Sequence, residues 1–211
     1  MQFTTRFILL LMGSWLAFGL HAQKRKHDLR RPSIQLLPTD TVRGAVGAED
    51  IVIDDETGMA YISSDDRYAS FHETPVQGAI FSYDLNTENP VLRYLTTDFP
   101  GELHPHGISL YIAPNGERRL FVVNHQYVDD TYSDHRIEVF EVHGDSLHHL
   151  KTHQSPKFIS PNSVYGVGID EFYVTNDRHS NSKFGRFWEY LFRRKISRIT
   201  HCKNGECRFV A

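Results

Sequence analysis

An all-β fold, a β-propeller, is what this 211-residue sequence predicts, on three observations. Short β-branched and aromatic runs ended by polar turn residues recur along the chain, and helical periodicity is confined to its C-terminal end. The runs fall into three successive groups of four. Each group opens on a polar pair, Glu49-Asp50, Pro105-His106 or Pro161-Asn162, at a repeat of about 56 residues. Four strands repeated at such a period mark propeller blades. An antiparallel sandwich with accidental similarity is the competing architecture, and the matched pairs weigh against it.

The elements follow in order. Residues 1–22 are expected to be a signal peptide. Arg6 precedes an apolar run from Phe7 to Leu20, which is shorter than the ~20 residues of a spanning helix, and Ala22 supplies a small residue for cleavage. The basic segment 23–35 puts more positive charge after that run than before it, so an uncleaved anchor is the alternative to export into an extracellular or periplasmic space. The partial propeller is expected over 36–211. Its first blade, about 49–96, takes strands at Asp50–Ile53, Met59–Ser63, Ala79–Leu85 and Val91–Thr96. The second, about 105–152, takes Gly107–Ile112, Leu120–Asn124, Ile137–Val142 and Leu147–Thr152. The third, about 162–211, takes Ser163–Val167, Glu171–Thr175, Ile196–Thr200 and the stretch from Arg208.

One stretch departs from this pattern. Residues 180–194 carry Phe184, Phe187, Trp188, Tyr190, Leu191 and Phe192 with Arg186, Arg193 and Arg194, spaced for a short amphipathic helix inserted between the second and third strands of the third blade. Such a helix could cap a site, touch a membrane or lipid surface (residues 184–194), dock a missing blade or pack on its own domain. Three blades do not close a ring, so the missing propeller half is expected from sequence beyond a truncation or from another chain.

A formal charge of −3 gives no basic face for nucleic acid. No nucleotide-binding loop, Gly-x-Ser-x-Gly elbow or zinc-protease motif is present. The two cysteines, Cys202 and Cys207, flank the hairpin dipeptide Asn204-Gly205 and read either as a disulfide across that turn or as two reduced thiols.

Candidate chemistry sits where the first strands begin. In a propeller, loops entering these strands point at the central channel, and here they offer Glu49-Asp50, His106 and Asn162. Alone, a Glu-Asp pair is a solvated turn. Three polar first-strand loops in one register favour a hard divalent cation, Ca²⁺, over that reading.

Gly47-Ala48-Glu49-Asp50-Ile51, Phe99-Pro100-Gly101, His104-Pro105-His106-Gly107-Ile108-Ser109, Val122-Val123-Asn124-His125, Leu147 to Thr152, and Phe172 to Asp177 resemble, in order and spacing, the motifs of the paraoxonase/arylesterase family. The resemblance runs from about Leu36 to Ala211. It implies a six-bladed propeller with two calcium ions in its channel and hydrolysis of small-molecule aryl esters and lactones. It implies Glu49 and Asn162 as ligands of a catalytic calcium, and Asp50, the carbonyl of Ile108 and position 163 as ligands of a structural one. His106 is implied as the base, His125 as the second histidine and Tyr68, in the polar loop after the first blade's second strand, as a substrate contact. Ser163 departs from the family's usual Asp. A non-catalytic secreted propeller fragment and a gluconolactonase-type lactonase are the alternatives.

Overall fold

The structure, a computed structural model, describes residues 41–210 apart from 73–75, 129–130, 181 and 193–196. The expected signal peptide and basic segment lie outside the described residues. From Val42 the chain forms one compact unit of three four-stranded antiparallel sheets.

The first sheet runs β1 (Ala48–Asp54), β2 (Met59–Ser64), β3 (Ala79–Asp84) and β4 (Arg93–Tyr94). The second runs β5 (Pro105–Ile112), β6 (Arg118–Val128), β7 (Thr131–His143) and β8 (Ser146–Gln154). The third runs β9 (Pro161–Gly168), β10 (Glu171–Asn176), β11 (Arg198–Lys203) and β12 (Glu206–Phe209). In each sheet the spatial order equals the chain order, so each is an up-and-down blade. The first strands are neighbours: β5 lies against both β1 and β9. These are three blades of an all-β propeller.

Burial explains why the middle blade reads as a continuous apolar run. Side chains alternate across a strand, and both faces of the second blade are covered. Leu120 and Val122 join Tyr61, Ile80, Ile108 and Phe140 between the first and second blades. Phe121 and Val123 join Ile137, Phe158, Val164, Phe172 and Val174 between the second and third. All four residues 120–123 are fully buried, and each such side chain contributes ~1.5–3 kcal/mol. The outer faces are different. Ile51 and Ile53 on the first blade, and Tyr165, Val167 and Tyr173 on the third, are exposed.

Polar links also join the blades. Buried Asp54 takes the guanidinium Nε–H of Arg118 at 2.7 Å, and its other oxygen accepts from the backbone of Glu56 and Thr57. Tyr61 donates its hydroxyl to the carbonyl of Gly144 at 2.8 Å.

Two features differ from expectation. Residues Arg67–His72 form a helix, α1, so Tyr68 stands on a helix rather than in a loop. Strands β6 and β7 extend to 11 and 13 residues, a hairpin longer than the apolar runs predict because its outer half is polar. The expected helix forms at Lys183–Phe192, α2, between β10 and β11. Its apolar side chains stay exposed and stack on one another, Trp188 on Phe192 at 5.1 Å, so the described residues do not show it packed on its own domain.

The hairpin reading of the cysteines holds. Cys202 and Cys207 face each other in β11 and β12 and are disulfide-bonded. Asn204 and Gly205 between them have φ of 51° and 86°, the left-handed pair of a type I′ turn.

Gly107 sets the approach of β5 to β9. A Cβ there would lie 2.4 Å from the carbonyl oxygen of Asn162 and 2.7 Å from the Cα of Ser163. Gly107→Ala is therefore expected to push the two strands apart and cost about 1–3 kcal/mol. Urea denaturation would show this as a lower midpoint at unchanged slope; an unchanged midpoint would contradict the close packing.

Candidate functional site at the inner strand ends

The inner strands are positioned from behind, by a buried polar side chain near the end of each blade's second strand. In the second blade Asn124, fully buried, accepts the N–H of His104 at 2.8 Å and donates to the carbonyl of Glu102 and the carboxylate of Glu138. In the third blade Asn176, also fully buried, accepts the N–H groups of Ile159 and Ser160. In the first blade Ser63 and Ser64 do comparable work. Ser64 donates to the carbonyl of Val46, while Ser63 accepts from the N–H of Asp50 and donates to the carbonyl of His106 at 2.6 Å. Gly47, at φ 67°, lets its carbonyl accept the N–H of Asp65 where a Cβ would strike that residue's backbone.

This framework brings most of the expected residues to the inner strand ends. Glu49 lies between Arg67, 3.4 Å away, and Nδ1 of His106, 3.5 Å away. Asp50 accepts the N–H of Ile108 at 2.9 Å, tying β1 to β5. Asn162 donates to the carboxylate of Asp177 at 2.9 Å, and Gly107 rests on its backbone. The rings of His106 and His125 stand 5.4 Å apart, edge to face. Two expected residues are exposed. Ser163 is exposed on β9, in step with Tyr165, with its Cα close to Gly107. Tyr68 is 74 % exposed on α1, with its ring against His72.

Sequence reasoning missed five neighbours. Arg67 is the cation beside Glu49, and Asp177 the anion beside Asn162. His104 and Asp65 form a buried pair at 3.0 Å. His135 places Nδ1 2.8 Å from Nδ1 of His125. Asp177 and His104 left a trace, as the last residue of the Thr175-Asn176-Asp177 motif and the first of the His104-Pro105-His106 motif.

Burial dominates the electrostatics. It lowers the pKa of His106, with Arg67 acting in the same sense against the carboxylates of Glu49, Asp177 and Asp50. Burial, then the rings of His135 and His106, carries His125 down to about 2. Burial also lowers His135. All three rings are thus neutral bases near pH 7. His106 Nδ1 is buried and, among the described residues, has no hydrogen-bond partner.

The donor set suits calcium in kind: two carboxylates, an amide and the carbonyl of Ile108 are hard oxygens. In number it is incomplete, since among the described residues no three His, Cys, Asp or Glu side chains group closely enough to hold an ion.

The depressed histidine values have a stability consequence. Unfolding exposes rings with a pKa of about 6.5, so below that pH the unfolded chain takes up more protons than the folded one. The contribution is complete above pH ~6.5 and is lost as pH falls toward the lower folded values. Urea midpoints are expected to fall between pH 7 and 5, with a shallower fall in His125→Asn. Equal slopes in the two proteins would contradict a buried neutral His125.

Comparison with known proteins agrees with this geometry. The arylesterase family matches residues 42–211. A chicken protein, serum paraoxonase/arylesterase 2, is 36 % identical over 172 residues, covering 78 % of this chain and 47 % of its own length. Human serum paraoxonase/lactonase 3 is 33 % identical over 170 residues, covering 78 % and 47 %. Human serum paraoxonase/arylesterase 2 is 30 % identical over 209 residues, covering 96 % and 57 %. The chain spans about half the length of these curated relatives. Three antiparallel blades, a histidine pair among oxygen donors at the inner strand ends, and a family match across the whole described region lead to one conclusion: the chain belongs to the arylesterase family.

Proposed function

We propose that the protein hydrolyses aryl esters and lactones in a calcium-dependent reaction. The observation that carries this reading is the half-buried, neutral His106 facing Glu49 at 3.5 Å with His125 behind it. Glu49 and Asn162 would hold a catalytic calcium, and Asp50 with the Ile108 carbonyl a structural one, Ser163 being a weaker donor than a carboxylate. When bound, the ion would polarise the ester carbonyl and stabilise the oxyanion. His106 takes a proton from the attacking water, which a ring held neutral by burial can do near pH 7. His125 stays neutral beside it and supports the charge that forms. Tyr68, exposed on α1, contacts the substrate.

Export fits the apolar N-terminal run and the Cys202–Cys207 disulfide, which suits an oxidising compartment. No helix among the described residues is long and apolar enough to cross a membrane. Exposed Phe184, Phe187, Tyr190 and Phe192 on α2, beside the basic run 193–195, support peripheral lipid contact. Tyr190→Glu with Phe187→Glu is expected to weaken co-sedimentation with anionic vesicles about tenfold or more, as charge on an apolar face should. Equal sedimentation of variant and parent would remove the lipid reading.

One observation favours a second reading, a non-catalytic secreted propeller: the metal-ligand grouping is incomplete among the described residues. A single experiment separates the two. Aryl-ester hydrolysis abolished by a chelator and restored by calcium supports the enzyme; chelator-insensitive background hydrolysis supports the other. In an active protein, His106→Gln is expected to lower turnover about 100-fold or more, within the range of general-base catalysis, while calcium affinity changes little. Equal loss of both would refute the base assignment.

A further inference from the structure

The histidine row continues one residue beyond the pair just described. Strands β6 and β7 form a long hairpin whose register sets His135 directly opposite His125. Their Nδ1 atoms are 2.8 Å apart and the rings stand at 80°, edge to face. Two neutral imidazoles make this bond only when one Nδ1 carries hydrogen and the other offers its lone pair. Surroundings decide which. His125 is 6 % exposed, whereas His135 is only half-buried and can direct a protonated Nε2 to water. The arrangement suiting both rings has His125 donating Nδ1–H to Nδ1 of His135. The lone pair of His125 is then on Nε2, in a ring 5.4 Å from that of His106.

We propose that His135 is a positioning residue: by accepting the Nδ1 hydrogen of His125 it fixes that ring's orientation and tautomer, leaving Nε2 to share the proton that His106 takes from water. The hydroxide so formed attacks the ester carbonyl, the acyl C–O bond breaks, and the proton passes to the departing alkoxide or phenoxide. The kinetic part rests on the hydrolase reading; the tautomer does not. A backing group of this kind matters because the hydrogen bond at one ring nitrogen determines what the other can do.

Two measurements on the full chain test this. Histidine ¹⁵N NMR of the unaltered protein is expected to show a single His125 tautomer, hydrogen on Nδ1; hydrogen on Nε2, or both forms mixed, would overturn the proposal without any variant. The second uses His135→Phe, which removes the acceptor, and His135→Asn, whose side-chain oxygen can replace Nδ1. In His135→Phe, kcat for an aryl acetate is expected to fall about 10–100-fold with KM within about threefold, and His135→Asn should recover most of the loss. The NMR signature should be lost and recovered in parallel. An unchanged signature with unchanged kcat in His135→Phe overturns the proposal, as does equal impairment of both variants with the signature intact. If the unaltered protein hydrolyses no ester yet His135→Phe releases the tautomer, the lock stands and the hydrolase reading fails.

Discussion

Every inner strand in this structure is held by a hydrogen bond from behind, and the candidate site depends on that constraint. The loop entering a first strand carries backbone N–H groups that no neighbouring strand satisfies, and leaving one buried without a partner costs about 1–3 kcal/mol. Asn124 and Asn176 supply the missing acceptor from fully buried positions. Serine hydroxyls do the comparable work in the first blade. The side chains that follow these loops, Glu49, Asp50, His106 and Asn162, stand at the inner strand ends because their backbones are clamped at equivalent places. The recurrence visible in the sequence is thus the recurrence of one solution to a backbone hydrogen-bonding problem.

The same clamps create a dry pocket for imidazoles. His125 takes its backbone hydrogen bond to the carbonyl of His104 and is covered on both sides, by His106 and His135. Desolvation then outweighs the nearby carboxylates, and the rings remain uncharged. A fold that buries a base in its neutral state gives up acid stability for it.

Legibility in the sequence followed physical periodicity. The blades, their order and the inserted helix could be read because period-2 alternation and turn residues report strand burial directly. The approach of Glu49 to His106 could be read because equivalent positions of a repeat occupy equivalent positions in space. Helix α1 could not: Arg67 to His72 is too short and polar for a helical pattern to emerge. Nor could the pairings of His125 with His135 or Asp65 with His104, which depend on β6–β7 register and on contact between blades.

The central claim is that oxygen donors from separate blades act on one ion beside His106. A double-mutant cycle on calcium affinity, measured by isothermal titration for Glu49→Gln, Asn162→Ala and the pair, tests it most directly. Two ligands of the same ion should be non-additive, with a coupling of about 0.5–3 kcal/mol. Losses that add to within about 0.5 kcal/mol would place the two side chains at unrelated tasks and contradict the account.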